Sequence, residues 1–318
     1  MKIAIITPVN VRSHSGNGNR NTALRWGQML RQLGYQVTIA VEWDDQPVNL
    51  MLALHARKSH ASIKRYADTY PGAPLILALT GTDLYRDIRT DKNAQESMRL
   101  ATRMIVLQDM GLSELAPAPR KKTRVIYQSA EPTTPRLPLK TRFEVCVIGH
   151  LREEKDPFRG ALALPHLPQD SLLHMIHMGR AMSAEMETQA KKIMAHQPRY
   201  RWLGEMPHWK VRVQLARSRL MLISSRMEGG ANVVSEALTA NVPVIASNIS
   251  GNIGMLGKDY AGYYPVENER ALAKLLHRAE TDTAFYRLLK KQCAARKPLI
   301  TPLKELNSLK QLIEEVTS

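Results

Sequence analysis

Short apolar runs bounded by polar residues recur along the chain, and stretches of helical period lie between them. In the first two-fifths the runs are Lys2–Pro8, Tyr35–Glu42, Leu50–Leu54, Leu75–Leu79, Arg103–Leu107 and Arg124–Ile126. Each is short enough, and apolar enough on both faces, to be a buried strand. Between the first two, Thr22–Leu33 carries Leu24, Met29, Leu30 and Leu33 at helical spacing, and Gly34 ends it. A second helix is expected over about Ser59–Tyr70, with Ser59 as its N-cap. Strands alternating with helices predict a parallel sheet of Rossmann type. The strand ends lead into polar segments: Asn10–Asn21, His55–Ser59 and Thr80–Asp87. In open α/β sheets such carboxyl edges are where ligands bind.

The pattern breaks at Glu131–Lys140, a Pro- and Thr-rich stretch that reads as a linker. It then resumes. Strands are expected at Glu144–Ile148, Leu172–Met178, Tyr200–Glu205 (a short strand and turn), Leu220–Ile223, Pro243–Ala246 and near Gly262–Pro265. Helices are expected up to about His196, then at Val211–Arg217, Val233–Ala240, Glu269–Glu280, Thr283–Arg296 and Leu303–Val316. Two α/β halves follow, over residues 1–135 and 141–299. Neither an internal repeat nor a low-complexity tract interrupts them.

A length of 318 residues suits two domains with sizeable cores. No apolar run approaches the roughly 20 residues needed to span a bilayer, so no stable membrane insertion is expected. The N-terminus reads as a first strand, which favours a cytoplasmic location. Cys146 and Cys293 make no disulfide framework, Cys146 reads as core, and no metal site is apparent. The formal net charge of +16 calls for an anionic partner. Basic residues form no long block and aromatics are only 5% of the chain, a poor basis for stacking nucleobases. Nucleic acid is therefore not expected, and small polyanions are.

The most informative stretch is Ser224–Leu238, which places Glu228 and Glu236 eight positions apart around Gly229 and Gly230, between an apolar strand and a helix. Glycines permit close backbone approach, and a helix start offers free N–H groups to a phosphate. With the following Asn241-Val242-Pro243-Val244-Ile245-Ala246, the segment resembles the nucleotide-sugar motif of retaining glycosyltransferases of GT-B fold. Asn241 stands where that family has Gly, and Asn also tolerates a left-handed helix end. Gly149 followed by Arg152 and Lys155 matches the same family's opening of its C-terminal domain. The resemblance implies two Rossmann-like domains facing an interdomain cleft, with the last helix, about residues 300–318, packing back on the first.

It also implies roles. Glu228 would accept from hydroxyls of the transferred sugar and Glu236 from the ribose. Arg152 and Lys155 would hold the diphosphate of a UDP-sugar, with no cofactor and no metal. Backbone at Gly204, Gly229, Gly230, Ala231, Asn232, Val233 and Val234, and the first-domain loop Gly16, Asn17 and Gly18, would complete the donor site. That loop carries only the first half of a G-x-G-x-x-G pattern.

The first half narrows the match. Leu54–Ser59, Leu79–Asp87 and Ser15–Arg20 resemble the selenosugar synthases of selenoneine biosynthesis, which join selenophosphate to UDP-N-acetylglucosamine or UDP-glucose and release UDP and phosphate. By that resemblance Arg20, His55, Arg57, Lys58, Thr80, Gly81, Thr82 and Asp83 would hold the acceptor, although the Asp83 carboxylate is awkward beside an anion. An ordinary retaining transfer to a carbohydrate or lipid hydroxyl is the alternative. A non-catalytic, basic nucleic-acid-binding protein is a third reading.

Overall fold

Among the described residues, the apolar runs become twelve parallel strands in two sheets, each covered by helices. The computed structural model of the chain describes residues 1–11 and 18–318. The chain divides into a first unit of Met1–Ser129, Gly229–Asn232 and Leu299–Ser318 and a second unit of Ala130–Glu228 and Val233–Pro298.

The first unit contains β1 (Lys2–Ile6), α1 (Gly18–Gln32), β2 (Gln36–Ala40), β3 (Leu50–Leu54), α2 (His60–Thr69), β4 (Leu75–Leu79), α3 (Ile88–Thr90), α4 (Lys92–Leu100), β5 (Arg103–Val106), α5 (Pro117–Lys121) and β6 (Thr123–Val125). The second contains β7 (Phe143–Ile148), α6 (Arg159–Ala163), β8 (Leu173–Met178), α7 (Ala184–His196), β9 (Tyr200–Trp202), α8 (His208–Arg217), β10 (Leu220–Ile223), α9 (Asn232–Thr239), β11 (Val244–Ser247), α10 (Ser250–Leu256), β12 (Tyr263–Tyr264), α11 (Glu269–Thr281) and α12 (Thr283–Arg296). Helix α9 takes its first residue from the segment grouped with the first unit. The last helix, α13 (Pro302–Thr317), belongs to the first unit.

The first sheet runs β2-β1-β3-β4-β5-β6 and the second β12-β11-β10-β7-β8-β9, all pairs parallel. In the first sheet the strand order reverses at β1/β3, and in the second at β7/β10. Those switch points fix where the carboxyl ends diverge and leave a crevice.

Residue parity sorts the first core. Ile3, Ile5, Leu50, Leu52, Leu54, Ile76 and Ala78 face α1 and α13, against Trp26, Leu30, Leu309, Leu312 and Ile313. The alternate residues Ala4, Ile6, Met51, Ala53, Leu75, Leu77 and Leu79 face the other side, against Ile63, Tyr66 and Ala94. Both faces are apolar because both are covered, which is why β3 and β4 read as continuous runs. Cys146 is fully buried in β7, and burial pushes its thiol up to about 12. Among the described residues, no helix is long and apolar enough to cross a membrane.

Three local expectations change. Helix α1 starts at Gly18 rather than Thr22, and α8 at His208 rather than Val211. Ser59 precedes α2 but does not cap it through its side chain: its hydroxyl donates to the Leu54 carbonyl at 2.7 Å, tying the loop back to β3. Asn241 does adopt the left-handed conformation after α9, at φ 60°.

Helix α13 is held by more than apolar contact. Glu305, 1% exposed, accepts from Trp26 Nε1 at 2.6 Å and Arg25 Nε at 3.2 Å, both on α1. Its other oxygen accepts from the Ser129 amide at 2.7 Å and from the Ser129 hydroxyl. Arg25 also donates from Nη1 to Asn232 Oδ1 at 3.1 Å. A buried carboxylate is tolerated when every lone pair is engaged, and removing one partner strands the others. Glu305→Ala is therefore expected to cost about 3 kcal/mol, read as a lower denaturant midpoint. A midpoint within error of the wild type would show that α13 is held by its leucines alone.

Candidate functional site

In the second unit the switch point lies between β7, which ends at Ile148, and β10, which ends at Ile223. A depression there is lined by Gly149, His150, Lys155, His177, Ser224 and Ser225, among others. Both strands end in apolar residues, so the first polar groups after them are the ones displayed.

After β10 the chain turns through Ser224–Glu228. The Ser224 hydroxyl donates to the carbonyl of Asp156 at 2.9 Å, and the Arg226 amide donates to the Glu154 carbonyl at 2.9 Å. These bonds attach the loop to the short turn Glu153–Lys155 that follows β7. Asp156 closes that turn in a left-handed conformation, φ 43°, and its carboxylate accepts from Arg159 Nε at 2.8 Å. Lys155 is thereby carried to Glu228, and its ammonium donates to Glu228 Oε1. The Ser225 hydroxyl donates to the same oxygen. Glu228 is 8% exposed, so the carboxylate is nearly dry and bound on one oxygen. Lys155 has two further N–H donors. Arg152 is exposed; its carbonyl accepts from the Lys155 amide at 3.0 Å, while its guanidinium makes no hydrogen bond to protein among the described residues.

The support beneath Glu228 is polar and buried. Ser247 at the end of β11 donates from its hydroxyl to the Ser225 carbonyl at 2.5 Å, and Asn252 Nδ2 donates to Ser247 O and Oγ, both at 3.0 Å. Gly251 fits where no side chain can: a Cβ there would lie 1.9 Å from the Glu228 carbonyl oxygen. Ser225, Ser247 and Asn252 were not singled out from the sequence. The Ser-Ser pair directly after an apolar strand was the only signal.

Gly149 lies at the end of β7, where its amide donates to the Met178 carbonyl at 2.9 Å. Its carbonyl accepts from His177 Nε2 at 3.1 Å, and His177 Nδ1 accepts from the Tyr200 hydroxyl at 2.9 Å. Those two bonds fix a neutral imidazole, and full burial lowers its pKa to about 4. Gly204, with φ 71°, accepts from the Gly179 amide at 2.8 Å. Trp202 packs on Leu151, Phe158 and Ala190, and its Nε1 donates to the Gly179 carbonyl at 2.7 Å. It is a packing residue.

Glu236 lies one turn into α9, largely buried, with Oε1 accepting from His208 Nε2 at 2.8 Å. Val234 is buried, and Val233 is half-buried. Gly229, Gly230, Ala231 and Asn232 group with the first unit. There a Cβ on Gly229 would meet the Thr80 carbonyl oxygen at 2.3 Å, and one on Gly230 the Leu107 Cβ at 2.5 Å. The glycine pair is thus required by the protein's own packing.

Residues 133–296, just over half of the chain, match the family of glycosyl transferases group 1. The chain belongs to this family. It is 32% identical over 144 residues to TuaC of Bacillus subtilis, whose name marks it as a candidate teichuronic acid biosynthesis glycosyltransferase; the match spans 45% of this chain and 34% of TuaC. Among solved structures, this glycosyltransferase-family chain is similar to a sucrose-phosphate synthase from Thermosynechococcus elongatus, with a TM-score of 0.83, 16% identity and coverage of 99% and 98% of the two chains. It is likewise similar to Anabaena HepE in complex with UDP-glucose, with a TM-score of 0.77, 16% identity and coverage of 100% and 99%. These likenesses establish the GT-B fold, two Rossmann-like α/β units in one chain.

In the first unit of this group 1 family member, the loops after β3 and β4 meet through Asp83. Asp83 is fully buried; Oδ1 accepts from the amides of Thr80 at 3.0 Å and Gly81 at 2.9 Å, and Oδ2 from the Ala56 amide at 3.0 Å. Its charge is spent on the loops themselves, which accounts for a carboxylate among cations. His55 is 3% exposed, with a left-handed φ of 75°. Its Nδ1 accepts from the Lys58 amide at 3.4 Å, so Nε2 carries the proton and donates to Thr82 Oγ1 at 3.1 Å. Burial, more than any neighbouring charge, lowers its pKa. Arg57 Nε donates to Asp87 Oδ2 at 2.8 Å, a partner the sequence reading passed over. Lys58 is exposed. Arg20, on α1, donates from Nε to the Val11 carbonyl at 2.9 Å. Gly18 is the exposed first residue of α1, while Gly16 and Asn17 lie outside the described residues.

His177 gives a pH test of the Gly149 turn. The unfolded chain takes up a proton near pH ~6.5, whereas the folded imidazole resists until about 4. Between those values the unfolded state holds the extra proton, so stability rises with pH and is lost as pH falls. The slope is about 1.4 kcal/mol per pH unit. From pH 6.5 to 5 the wild type is expected to lose about 2 kcal/mol more than His177→Gln, measured by urea unfolding. Equal losses would refute the neutral assignment.

Proposed function

We propose that the chain is a UDP-sugar glycosyltransferase whose donor is held in the second unit and whose acceptor is selenophosphate. The observation that carries the donor half is the Lys155–Glu228 pair at the carboxyl edge of β7 and β10. A carboxylate with one free oxygen can accept from sugar hydroxyls. An ammonium with free N–H groups, an unpaired guanidinium at Arg152 and the N-terminus of α9 can receive a diphosphate. Such fixed charge stabilises the negative charge that builds on departing UDP without a metal or cofactor.

For the acceptor, support comes from the resemblance of the His55–Ser59 and Thr80–Asp87 segments to selenosugar synthases and from the surplus of basic groups. Selenium would attack the anomeric carbon. The bond from that carbon to the UDP oxygen would break, and its electron pair would leave with UDP. Water would then cleave the selenium–phosphorus bond and release phosphate. A selenium anion is already nucleophilic and needs no strong general base. That agrees with the first unit, where His55 is neutral, buried and engaged, and Asp83 is committed to backbone amides. Transfer to a carbohydrate hydroxyl is the second reading, favoured by the 32% match to TuaC.

Incubation with UDP-N-acetylglucosamine or UDP-glucose and selenophosphate is expected to give a selenosugar detectable by mass spectrometry. Product only with carbohydrate acceptors would select the second reading. Glu228→Ala is expected to lower turnover by about 10²–10³ with an unchanged circular dichroism spectrum; an unchanged rate would remove Glu228 from the site. Arg57→Ala is expected to raise KM for the acceptor anion more than for the UDP-sugar. Equal increases would point to a disturbed loop instead.

A further inference from the structure

Helix α8 begins against the usual preference. Its first residues are His208-Trp209-Lys210-Val211-Arg212, with no acid in the first turn. The start of a helix carries partial positive charge, and cations there are unfavourable. Two of these cations are accounted for locally. Arg212 Nη2 donates to the carbonyls of Glu131 at 2.9 Å and Pro132 at 2.7 Å and to Thr133 Oγ1 at 2.9 Å. The Lys210 ammonium lies 5.4 Å from the centre of the Trp209 ring. His208 instead reaches α9, and its Nε2 donates to Glu236 Oε1 at 2.8 Å. The imidazole is 67% exposed and the Glu236 side chain 15%, so His208 covers the carboxylate from the solvent side. Glu236 Oε2 receives no hydrogen bond from protein among the described residues.

We infer that His208 is a positioning residue for the donor nucleoside: it fixes Glu236 through Oε1, leaves Oε2 open to the ribose hydroxyls, and when protonated adds positive charge beside an anionic ligand. The inference rests on the proposed role of Glu236 in donor binding.

It carries a pH dependence. The charged groups acting on the imidazole are Glu236 from α9, whose hydrogen bond favours protonation, and Arg212 from α8, which opposes it together with burial; the first prevails and the pKa is raised. Below that value His208 is an imidazolium. As pH rises through it, the charge is lost while a neutral N–H can still donate to Oε1. Donor affinity therefore falls with rising pH. The pair is partly exposed, so the step is roughly two- to fivefold.

The test is calorimetric titration of the intact protein with UDP-glucose from about pH 5.5 to about 8.5. UDP-glucose is the probe because its diphosphate is esterified at both ends, whereas the terminal phosphate of free UDP titrates near pH ~6. His208→Gln keeps a donor without charge and is expected to bind at the wild type's high-pH affinity throughout. His208→Lys keeps the charge and is expected to bind at the low-pH affinity throughout. A flat wild-type profile, or either variant reproducing the wild-type step, overturns the inference. Glu236→Ala separates the levels. If it weakens binding while the His208 variants do not, only the role of His208 falls. If it binds as the wild type does, or if the wild type does not bind UDP-glucose, the donor reading falls as well.

Discussion

A carboxylate that is almost dry and still keeps one oxygen available sets the terms for the second unit. Glu228 meets that demand by placing an ammonium and a hydroxyl on Oε1 alone. Everything around it can be derived from that need. Lys155 must arrive from a different strand end, so the turn after β7 is stitched to the loop after β10 by Ser224 and Arg226. The carbonyl of Glu228 must be approached closely from α10, so position 251 has no side chain. The loop must not sag, so Ser247 and Asn252 fill the space below with hydrogen bonds rather than hydrocarbon. The network is not fully satisfied: Asn252 Oδ1 is buried with no hydrogen-bond partner among the described residues, and an unmet buried acceptor costs stability.

The first unit solves a related problem with the opposite sign. Its strand ends present backbone N–H groups that need an acceptor, and Asp83 supplies one to three amides from two loops. The negative charge placed there is held by those amides, and nearby Asp87 is paired with Arg57. Basic residues such as Lys58 are left facing solvent. The net charge of +16 thus has a local expression: carboxylates at the sheet edges are largely consumed by protein donors, while several cations are not.

Legibility from the sequence follows the range of the interaction. Strands β3, β4 and β10 and helix α12 have the boundaries their patterns predict, because burial on both faces or on one stripe is written in neighbouring residues. Two parallel α/β units were legible from alternation, and the GT-B fold from the resemblance of the segments bearing Glu228, Glu236, Arg152 and Lys155 to that family. The left-handed Asn241 was legible because few residues tolerate that conformation. What was hidden depended on partners far away in the chain. Ser59 looked like a cap, but the Leu54 carbonyl claimed its hydroxyl. The start of α8 was obscured because its first turn lacks the acids that mark a helix start, and the reason lies in Glu236, 28 residues on.

Glu305 shows the same limit from the other end. On sequence alone it is one charged residue in an amphipathic last helix, and the bland expectation is solvent. In the folded chain it is buried and joins Trp26, Arg25 and Ser129, residues at least 176 positions away. Arg25 extends that connection to Asn232, the first residue of α9. The segment Gly229–Asn232, grouped with the first unit, is thus tied through Arg25 to a carboxylate in the first turn of the last helix.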